Sequence, residues 1–277
     1  MALTKVIGAG LGAVTQDGAA TFNEGSADVD FRVESNANIN MLLVDSGGEV
    51  VTIGGLASTA GNEDAGYFPL QVGNTGSSAT IMQMLTSASG TGTIHFGDAV
   101  SGAGRYAGYM FYNHSNNSLG LGTSGATQVT IDSTGAMTKP NQPAFAAKPS
   151  SEQTDMAINS ANNIVFGTEI YDQNSDFSSN TFTAPVTGKY FLGFTTYLRN
   201  VDIDATYVQF SILTSNRTYY SLYDPNFSAD LLYLDVNIGV VADMDVGDTA
   251  LVQYHQGGGN AQSDVNTDST FMGYLLG

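Results

Sequence analysis

The chain has 277 residues, enough for one large domain or two ordinary domains with a packed core. Only 12% of its residues are charged, whereas 42% are hydrophobic and 33 are glycine, which argues against a disordered chain and against a helical one. The formal net charge of −18, with 8 basic residues and no basic patch, argues against nucleic acid as a partner and against a role on an anionic membrane surface. The absence of cysteine excludes disulfides and thiolate metal sites.

Residues 1–30 are mostly small and polar, with frequent glycine. They lack the long apolar core of a secretory signal, and no run of 18 apolar residues follows that could span a bilayer. We interpret residues 1–30 as a segment that attaches the chain to a larger assembly.

Residues 31–138 contain short apolar stretches separated by Asn and Gly. The stretches predicted as strands are 31–35, 41–45, 50–54, 93–98, 108–119 and 129–135. Strands this short bury little surface alone, so they need neighbours from a repeat or from other chains. Residues 81–85 fit either a strand or one helical turn, and the sequence leaves that choice open.

The order of these stretches resembles the shaft repeats of bacteriophage fibre proteins. Phe-Arg-Val-Glu-Ser is followed by Leu-Val-Asp and Val-Thr-Ile-Gly, and later Tyr-Asn-His-Ser-Asn-Asn-Ser-Leu precedes Ile-Asp-Ser-Thr-Gly. Asn113 departs from the Asp that is usual before His-Ser. The resemblance implies an elongated trimeric β shaft over residues 31–138, and it implies that residues 1–30 dock on a virion adaptor, tail or capsid protein.

Residues 139–142 are predicted to be a linker, because Pro140 and the following Pro143 favour extended backbone and block a helix. Residues 143–277 then show the alternation of a β-sandwich. Val208, Phe210 and Ile212 alternate with polar neighbours.

A longer alternation predicts that the even-numbered residues from 232 to 240 are buried and that the odd-numbered ones from 231 face outward. Leu231 and Tyr233 would be unusual solvent-facing residues on a monomer, so they are candidates for a trimer interface. The alternative, that they lie under a loop of their own chain, stays open.

The segment Phe-Thr-Ala-Pro-Val-Thr-Gly-Lys-Tyr-Phe at 182–191 and the closing Phe-Met-Gly-Tyr-Leu-Leu at 271–276 resemble the jelly-roll head of complement-C1q and tumour-necrosis-factor-like proteins. Ala144 and Phe145, and the acidic turn 243–248, fit the same pattern. The resemblance implies a homotrimeric all-β head that binds other molecules by its surface, has no cofactor and is not an enzyme.

Two polar segments are candidates for receptor contact, because aromatic faces beside amide and carboxylate groups suit saccharide or protein recognition. The candidates are Tyr219, Tyr220, Tyr223, Asp224, Asn226, Phe227, Gln256, Asn260 and Gln262. In the alternative interpretation, the tyrosines fill strand faces or the threefold interface.

Two other motifs resemble known binding sites, but neither is specific enough to predict one. Residues 120–125 match G-x-G-x-x-G, but a strand and not a helix follows. Residues 172–176 open like a calcium loop, but Phe177 stands where glycine is needed. We therefore predict no catalytic residue and no metal site, although acid pairs such as Asp202 with Asp204 keep a polysaccharide-degrading spike as a less favoured alternative.

These features lead to the hypothesis of a homotrimeric virion fibre that is exposed on a phage particle after assembly in the host cytoplasm. Its C-terminal head would bind a host-cell surface receptor, with a glycan as the favoured class. The alternative is a capsid or tail decoration protein without a receptor role.

Overall fold

The computed structural model describes residues 31–33, 42–45, 50–53, 70–72, 79 and 81–277. The chain divides into two compact units, with the boundary between Leu85 and Thr86. The predicted attachment segment 1–30 lies outside the described residues. In the described part, the fold is all-β, as the sequence predicts, and no helix there has the length and apolarity to cross a membrane.

The first unit contains a four-stranded sheet in chain order. Its strands are β1 (Phe31–Val33), β2 (Leu42–Asp45), β3 (Val50–Ile53) and β4 (Leu70–Val72). Strands β1 to β3 are antiparallel, and β4 runs parallel to β3. Of the strands predicted at 31–35, 41–45 and 50–54, the described residues 31–33, 42–45 and 50–53 are confirmed as strand, and residues 81–85 form neither helix nor strand.

The second unit begins with a five-stranded antiparallel sheet, here called the meander, whose strands pair in chain order. It comprises β5 (Thr91–Phe96), a 3-10 helix (Gly102–Tyr106), β6 (Gly108–Asn113), β7 (Ser118–Thr123), β8 (Ala126–Ile131) and β9 (Met137–Thr138). The predicted stretch 108–119 contains β6, a turn and the start of β7, and the turn begins where Asn113 Oδ1 accepts the Ser115 N–H at 2.9 Å.

Two glycines of the G-x-G-x-x-G match lie under aromatic rings of the meander. A Cβ at Gly120 would stand 2.2 Å from the Phe111 ring, and one at Gly122 would stand 2.2 Å from the Tyr109 ring. Gly125 and the preceding Ser124 have φ values of 74° and 52°, as a two-residue hairpin turn of type I′ requires. The glycine pattern therefore serves sheet packing and a turn.

Residues 139–142 form a turn and not the extended linker that the prolines suggest. The Gln142 N–H donates to the Lys139 carbonyl at 3.1 Å. The Gln173 side-chain amide donates to the carbonyls of Lys139, Pro140 and Gln142, each at 2.8 Å. Proline blocks a helix here but fits position i+1 of a reverse turn, and one side chain holds that turn in place.

The remaining residues form a sandwich of two antiparallel sheets. The first, here called the β15 sheet, comprises β10 (Ala144–Lys148), β12 (Thr168–Asp172), β15 (Gly188–Val201), β18 (Leu231–Met244), β20 (Asp264–Val265) and β21 (Thr270–Leu275). The second, here called the β16 sheet, comprises β11 (Asn162–Asn163), β13 (Phe177–Ser178), β14 (Thr181–Thr183), β16 (Tyr207–Thr214), β17 (Thr218–Tyr223) and β19 (Thr249–Gly257). The strand order is β12-β10-β21-β15-β18 in the β15 sheet, where β20 also pairs with β15, and β13-β14-β19-β16-β17 in the β16 sheet, where β11 pairs with β19.

The core lies between these two sheets and is rich in phenylalanine. The Phe145 ring stacks on Phe177 and Phe182 at centroid distances of 5.0 and 4.7 Å and meets Phe271 edge-on at 5.0 Å. The predicted burial of alternate residues in β16 is confirmed, since Val208, Phe210 and Ile212 are fully buried. Interdigitating rings of this kind fix the distance between the sheets.

The alternation predicted for β18 is wrong at its start. Leu232 is 55% exposed, whereas Leu231 packs against the core. Leu231 pairs with Val201, and the preceding Asn200 has a φ of 54°. The left-handed backbone at Asn200 interrupts the alternation of side chains at the end of β15. Val201 and its partner Leu231 therefore both face the core.

Candidate functional site

The outer surface of the β15 sheet carries an apolar area, here called the outer apolar face. It comprises Phe191, Gly193, Gly239, Val241, Met272 and Tyr274, which pair across three neighbouring strands. The Phe191 and Tyr274 rings lie 5.3 Å apart, and a Cβ at Gly193 would stand 3.0 Å from the Phe191 ring. Tyr274 and Val241 remain 44% and 56% exposed. Because none of the six residues is charged, this face suits contact with another apolar surface.

Of the two predicted interface residues, only Tyr233 faces outward. It is 53% exposed and stacks on Tyr197 at 5.2 Å. Desolvation and the neighbouring Tyr233 raise the pKa of Tyr197. Leu231 packs against the core of its own chain, so it does not supply an outward apolar side chain.

Three loops at one end of the sandwich are joined by hydrogen bonds, and we call residues 202–206, 224–230 and 258–263 the end-loop cluster. The Asp230 carboxylate accepts the Gln262 side-chain N–H at 3.0 Å and the Ile203 backbone N–H at 3.1 Å. These bonds lower the pKa of Asp230. Asp202 is 2% exposed and accepts the backbone N–H groups of Asp204 and Asn260. The two carboxylates thus connect all three loops.

The end-loop cluster lies at the opposite end of the sandwich from the point where the preceding chain arrives. Strand β15 is 14 residues long, which spans about 40 Å at the usual rise of a strand. Near the start of β15, the Leu276 N–H donates a hydrogen bond to the Lys189 carbonyl, and the Leu275 N–H donates one to the Pro143 carbonyl. At its end, Val201 pairs with Leu231, directly after the loop 224–230.

The family model for the C1q domain matches residues 144–276. This segment is a C1q/TNF-like jelly-roll domain. Among solved structures, the globular domain of zebrafish complement 1qA is 18% identical over 50% of this chain and 98% of that one, with a TM-score of 0.39. Murine APRIL at pH 8.5 is 10% identical over 49% of this chain and 100% of that one, with a TM-score of 0.37. A search of curated proteins found no match.

The family assignment adds two general expectations to the geometry. C1q/TNF-like domains typically form homotrimers. They are generally binding domains without enzymatic activity. In the ranges that the structure describes, no three His, Cys, Asp or Glu side chains gather as a metal-binding group.

The jelly-roll domain brings four predicted receptor residues to the end-loop cluster in exposed positions. They are Asp224, Asn226, Phe227 and Asn260, with Phe227 54% exposed. Gln262 belongs to the same cluster but is half-buried and bonded to Asp230. The two polar segments singled out in the sequence therefore meet in space.

The three predicted tyrosines lie on strand β17 and not in a loop. Tyr219 and Tyr223 pack against the core from its edge, which agrees with the alternative that they fill a strand face. Tyr220 is 66% exposed and lies on the outer side of the β16 sheet, opposite Ser211. These residues are therefore part of the sandwich wall.

Gln256 is fully buried, so it is not available as a contact residue. Its Oε1 accepts the hydroxyl groups of Tyr254 at 2.7 Å and Ser263 at 3.0 Å, and its Nε2 donates to the carbonyls of Gly258 and Asn260. Burial raises the pKa of Tyr254 to about 12. Gln256 supports the end-loop cluster from below.

Acidic residues that the sequence offers as possible catalytic carboxylates serve instead as hydrogen-bond acceptors for backbone N–H groups and side-chain amides. Both oxygens of Asp202 are used in the loop connections described above, and Asp264 accepts the Asp155 N–H at 2.9 Å and the Asn200 side-chain amide at 2.7 Å. Sequence reasoning missed Asp230 altogether. Its partners are 27 and 32 residues away, so no local pattern indicates its role.

Proposed function

We propose that this protein is a homotrimeric fibre of a bacteriophage virion that binds a host-surface receptor through the end-loop cluster. The observation that carries the proposal is the position of this cluster, at the end of the jelly-roll domain opposite to the arriving chain. A receptor-binding surface on a fibre has to face away from the attachment point. The resemblance of residues 31–138 to phage shaft repeats supports the virion location, with residues 1–30 docking on an adaptor, tail or capsid protein.

The outer apolar face supports the homotrimer. Chains of net charge −18 repel each other, so copies associate where no charge is present. The six residues of this face meet that condition and leave Val241 and Tyr274 about half exposed on a single chain. Burying such side chains between copies contributes roughly 1.5–3 kcal/mol each.

Exposed residues of the end-loop cluster support a glycan as the receptor class. Phe227 offers an apolar ring, and Asp224, Asn226 and Asn260 offer directional hydrogen-bonding groups around it. Rings flanked by amides and carboxylates match the alternating apolar and hydroxyl surfaces of sugars. Each site is small, so a trimer gains affinity by engaging three receptors at once.

Two measurements test the location and the role. Antibody against the jelly-roll domain, followed by electron microscopy of purified particles, is expected to label an exposed projection and to block adsorption. Labelling without any effect on adsorption would support a decoration protein instead. Particles that carry no label at all would overturn the virion assignment.

A matched pair of variants tests the binding surface. Phe227→Ala removes a ring that is 54% exposed in the end-loop cluster, and Leu222→Ala removes a side chain that is 55% exposed on the wall of the sandwich. Purified protein should compete with phage particles for the receptor and so inhibit their adsorption. We expect Phe227→Ala protein to inhibit adsorption at least about tenfold less well than the parent protein, as the loss of a central aromatic contact implies. Leu222→Ala should compete normally, and equal effects would place binding elsewhere.

A further inference from the structure

We propose that the meander carries a second binding site, separate from the end-loop cluster, for a saccharide unit that bears a carboxylate. The site is a groove of about 460 Å³ on one side of strands β5 and β6, within the range of roughly 300–1,000 Å³ that small-ligand sites occupy. The inference concerns the meander alone and does not rest on the proposed virion role. We call this site the meander groove; the residues that define it are Thr93, His95, Arg105, Tyr106, Tyr109 and Phe111.

The floor of the meander groove follows from the register of β5 and β6. Thr93 stands opposite Phe111, and His95 stands opposite Tyr109, so the four side chains point to the same side of the sheet. The Phe111 and Tyr109 rings lie over the two glycines of β7 described above. The Tyr109 hydroxyl also lies 2.9 Å from Thr127 Oγ1, which fixes that ring further. The floor therefore presents half-buried aromatic rings that the sheet itself holds in place.

The 3-10 helix that precedes β6 forms one wall of the meander groove. The Asp98 N–H donates to the Gly104 carbonyl at 2.9 Å, which fastens the helix to the segment after β5. A second backbone hydrogen bond, of 3.1 Å, joins the residue after the helix to the β7–β8 turn. The helix thereby places Arg105 and Tyr106 at the groove, with the ring centroids of Tyr106 and His95 6.0 Å apart.

The charge of the meander groove differs from that of the chain as a whole. None of its lining residues is acidic, although the chain carries 26 acidic residues against 8 basic ones. Arg105 is exposed, and the ion pairs found among the described residues, Lys189 with Asp243 and Arg199 with Glu152, do not include it. A guanidinium group binds a carboxylate through two parallel hydrogen bonds, so Arg105 suits an anionic ligand of this kind.

The other lining groups indicate that the carboxylate belongs to a sugar. The three aromatic rings offer apolar surface to the C–H groups of a saccharide ring, and Thr93 and His95 offer hydrogen-bonding groups to its hydroxyls. A small inorganic anion would use Arg105 but not the rings, and an uncharged ligand would leave the guanidinium group without a partner. A uronic acid unit uses both.

A matched pair of ligands tests the site in the full-length protein. Methyl glucuronide and methyl glucoside share one ring and differ only in carrying a carboxylate or a hydroxymethyl group. We expect isothermal titration calorimetry to show at least about tenfold tighter binding of the glucuronide, because charge-assisted hydrogen bonds are stronger than neutral ones. Arg105→Gln should abolish this preference. Arg217→Gln, which replaces an exposed arginine outside the groove, is the control and should retain it.

Histidine-selective NMR locates the bound ligand, because the chain has only three histidines. The glucuronide should shift the ring signals of His95, assigned with His95→Gln, and leave those of His255 unchanged. The Phe227→Ala variant should bind the glucuronide as the parent protein does. Loss of binding in Phe227→Ala would instead place the ligand in the end-loop cluster, which overturns this inference and supports the proposed function. Equal binding of the two glycosides, an unchanged preference in Arg105→Gln, or no binding of the glucuronide also overturns this inference and leaves the proposed function standing.

Discussion

The jelly-roll domain and the meander are both antiparallel β structures of the same chain, yet they hide their apolar side chains differently. In the described residues, every member of the hydrophobic core lies between Phe145 and Phe271. The buried residues of the meander are only Ser118, Gly120 and Gly122. The first region closes its core within one chain, whereas the second presents apolar residues that a single chain leaves open. Alternation of apolar and polar residues therefore identifies a strand, but it does not identify the molecule that covers the apolar side.

A charge on the outer apolar face should perturb the protein most strongly. Val241→Asp places one carboxylate per copy where the proposed homotrimer would remove it from water, which costs several kcal/mol per ion. Native mass spectrometry should show monomer in place of trimer, while circular dichroism should still show a folded jelly-roll domain. Val246→Asp, at a turn position 67% exposed, is the control and should remain trimeric.

The second effect concerns the core that one chain closes by itself. Phe271→Ala removes a ring that contacts Phe145 at 5.0 Å and Phe166 at 5.7 Å. We expect a loss of roughly 3–5 kcal/mol in the free energy of unfolding, measured by denaturant titration. The same loss should appear when the variant is combined with Val241→Asp, because this core needs no second copy. Met272→Ala, half-exposed beside it, should cost much less.

A third variant tests the packing of aromatic rings on glycines in the meander. Gly122→Ala would place a Cβ 2.2 Å from the Tyr109 ring, so the ring has to move and its contact with Thr127 is lost. We expect a destabilisation of about 1–3 kcal/mol, as for other overpacked sites. Gly108→Ala is the matched control, since its Cβ would lie 3.4 Å from the nearest atom. Equal stability of the two variants, measured by thermal unfolding, would contradict the ring packing.

The smallest effect is electrostatic and belongs to the jelly-roll domain. Burial, with a contribution from Asp172, raises the pKa of Asp176, whose Oδ2 is buried without a hydrogen-bond partner. The folded state therefore favours the protonated form, and stability is lost as the pH rises through the raised pKa. Asp176→Asn should raise Tm slightly at pH 7, and the gain should vanish below the ordinary aspartate pKa of 3.8. A gain that persists at lower pH would indicate a cause other than charge.

Local sequence predicted much of the jelly-roll domain. The segment 182–191 places the end of β14 and the start of β15, and the alternation at 208–212 identifies a buried face correctly. Such features depend on neighbours along the chain. The direction in which the Leu231 side chain points, in contrast, depends on the left-handed backbone of Asn200 in the paired strand. No sequence pattern around Leu231 indicates that conformation.

The candidate site was predicted only in part, for a similar reason. Exposed loop residues such as Phe227 and Asn260 follow from composition, because polar and glycine-rich segments form loops. Whether Gln256 points outward depends on the hydroxyl groups of Tyr254 and Ser263, which close over it after folding. The hydrogen bond from Gln262 to Asp230 likewise forms only when the tertiary fold brings the two loops together.

Strand β10, which receives the chain from the turn 139–142, lies between β12 and β21 and is not at a sheet edge. Tension between that turn and a ligand held at the end-loop cluster would run along this strand. Hydrogen bonds to β12 and to β21 lie across the direction of pull, so both ladders bear the load in shear and cannot peel apart one bond at a time. The domain is therefore tethered through a strand well suited to resist mechanical extraction.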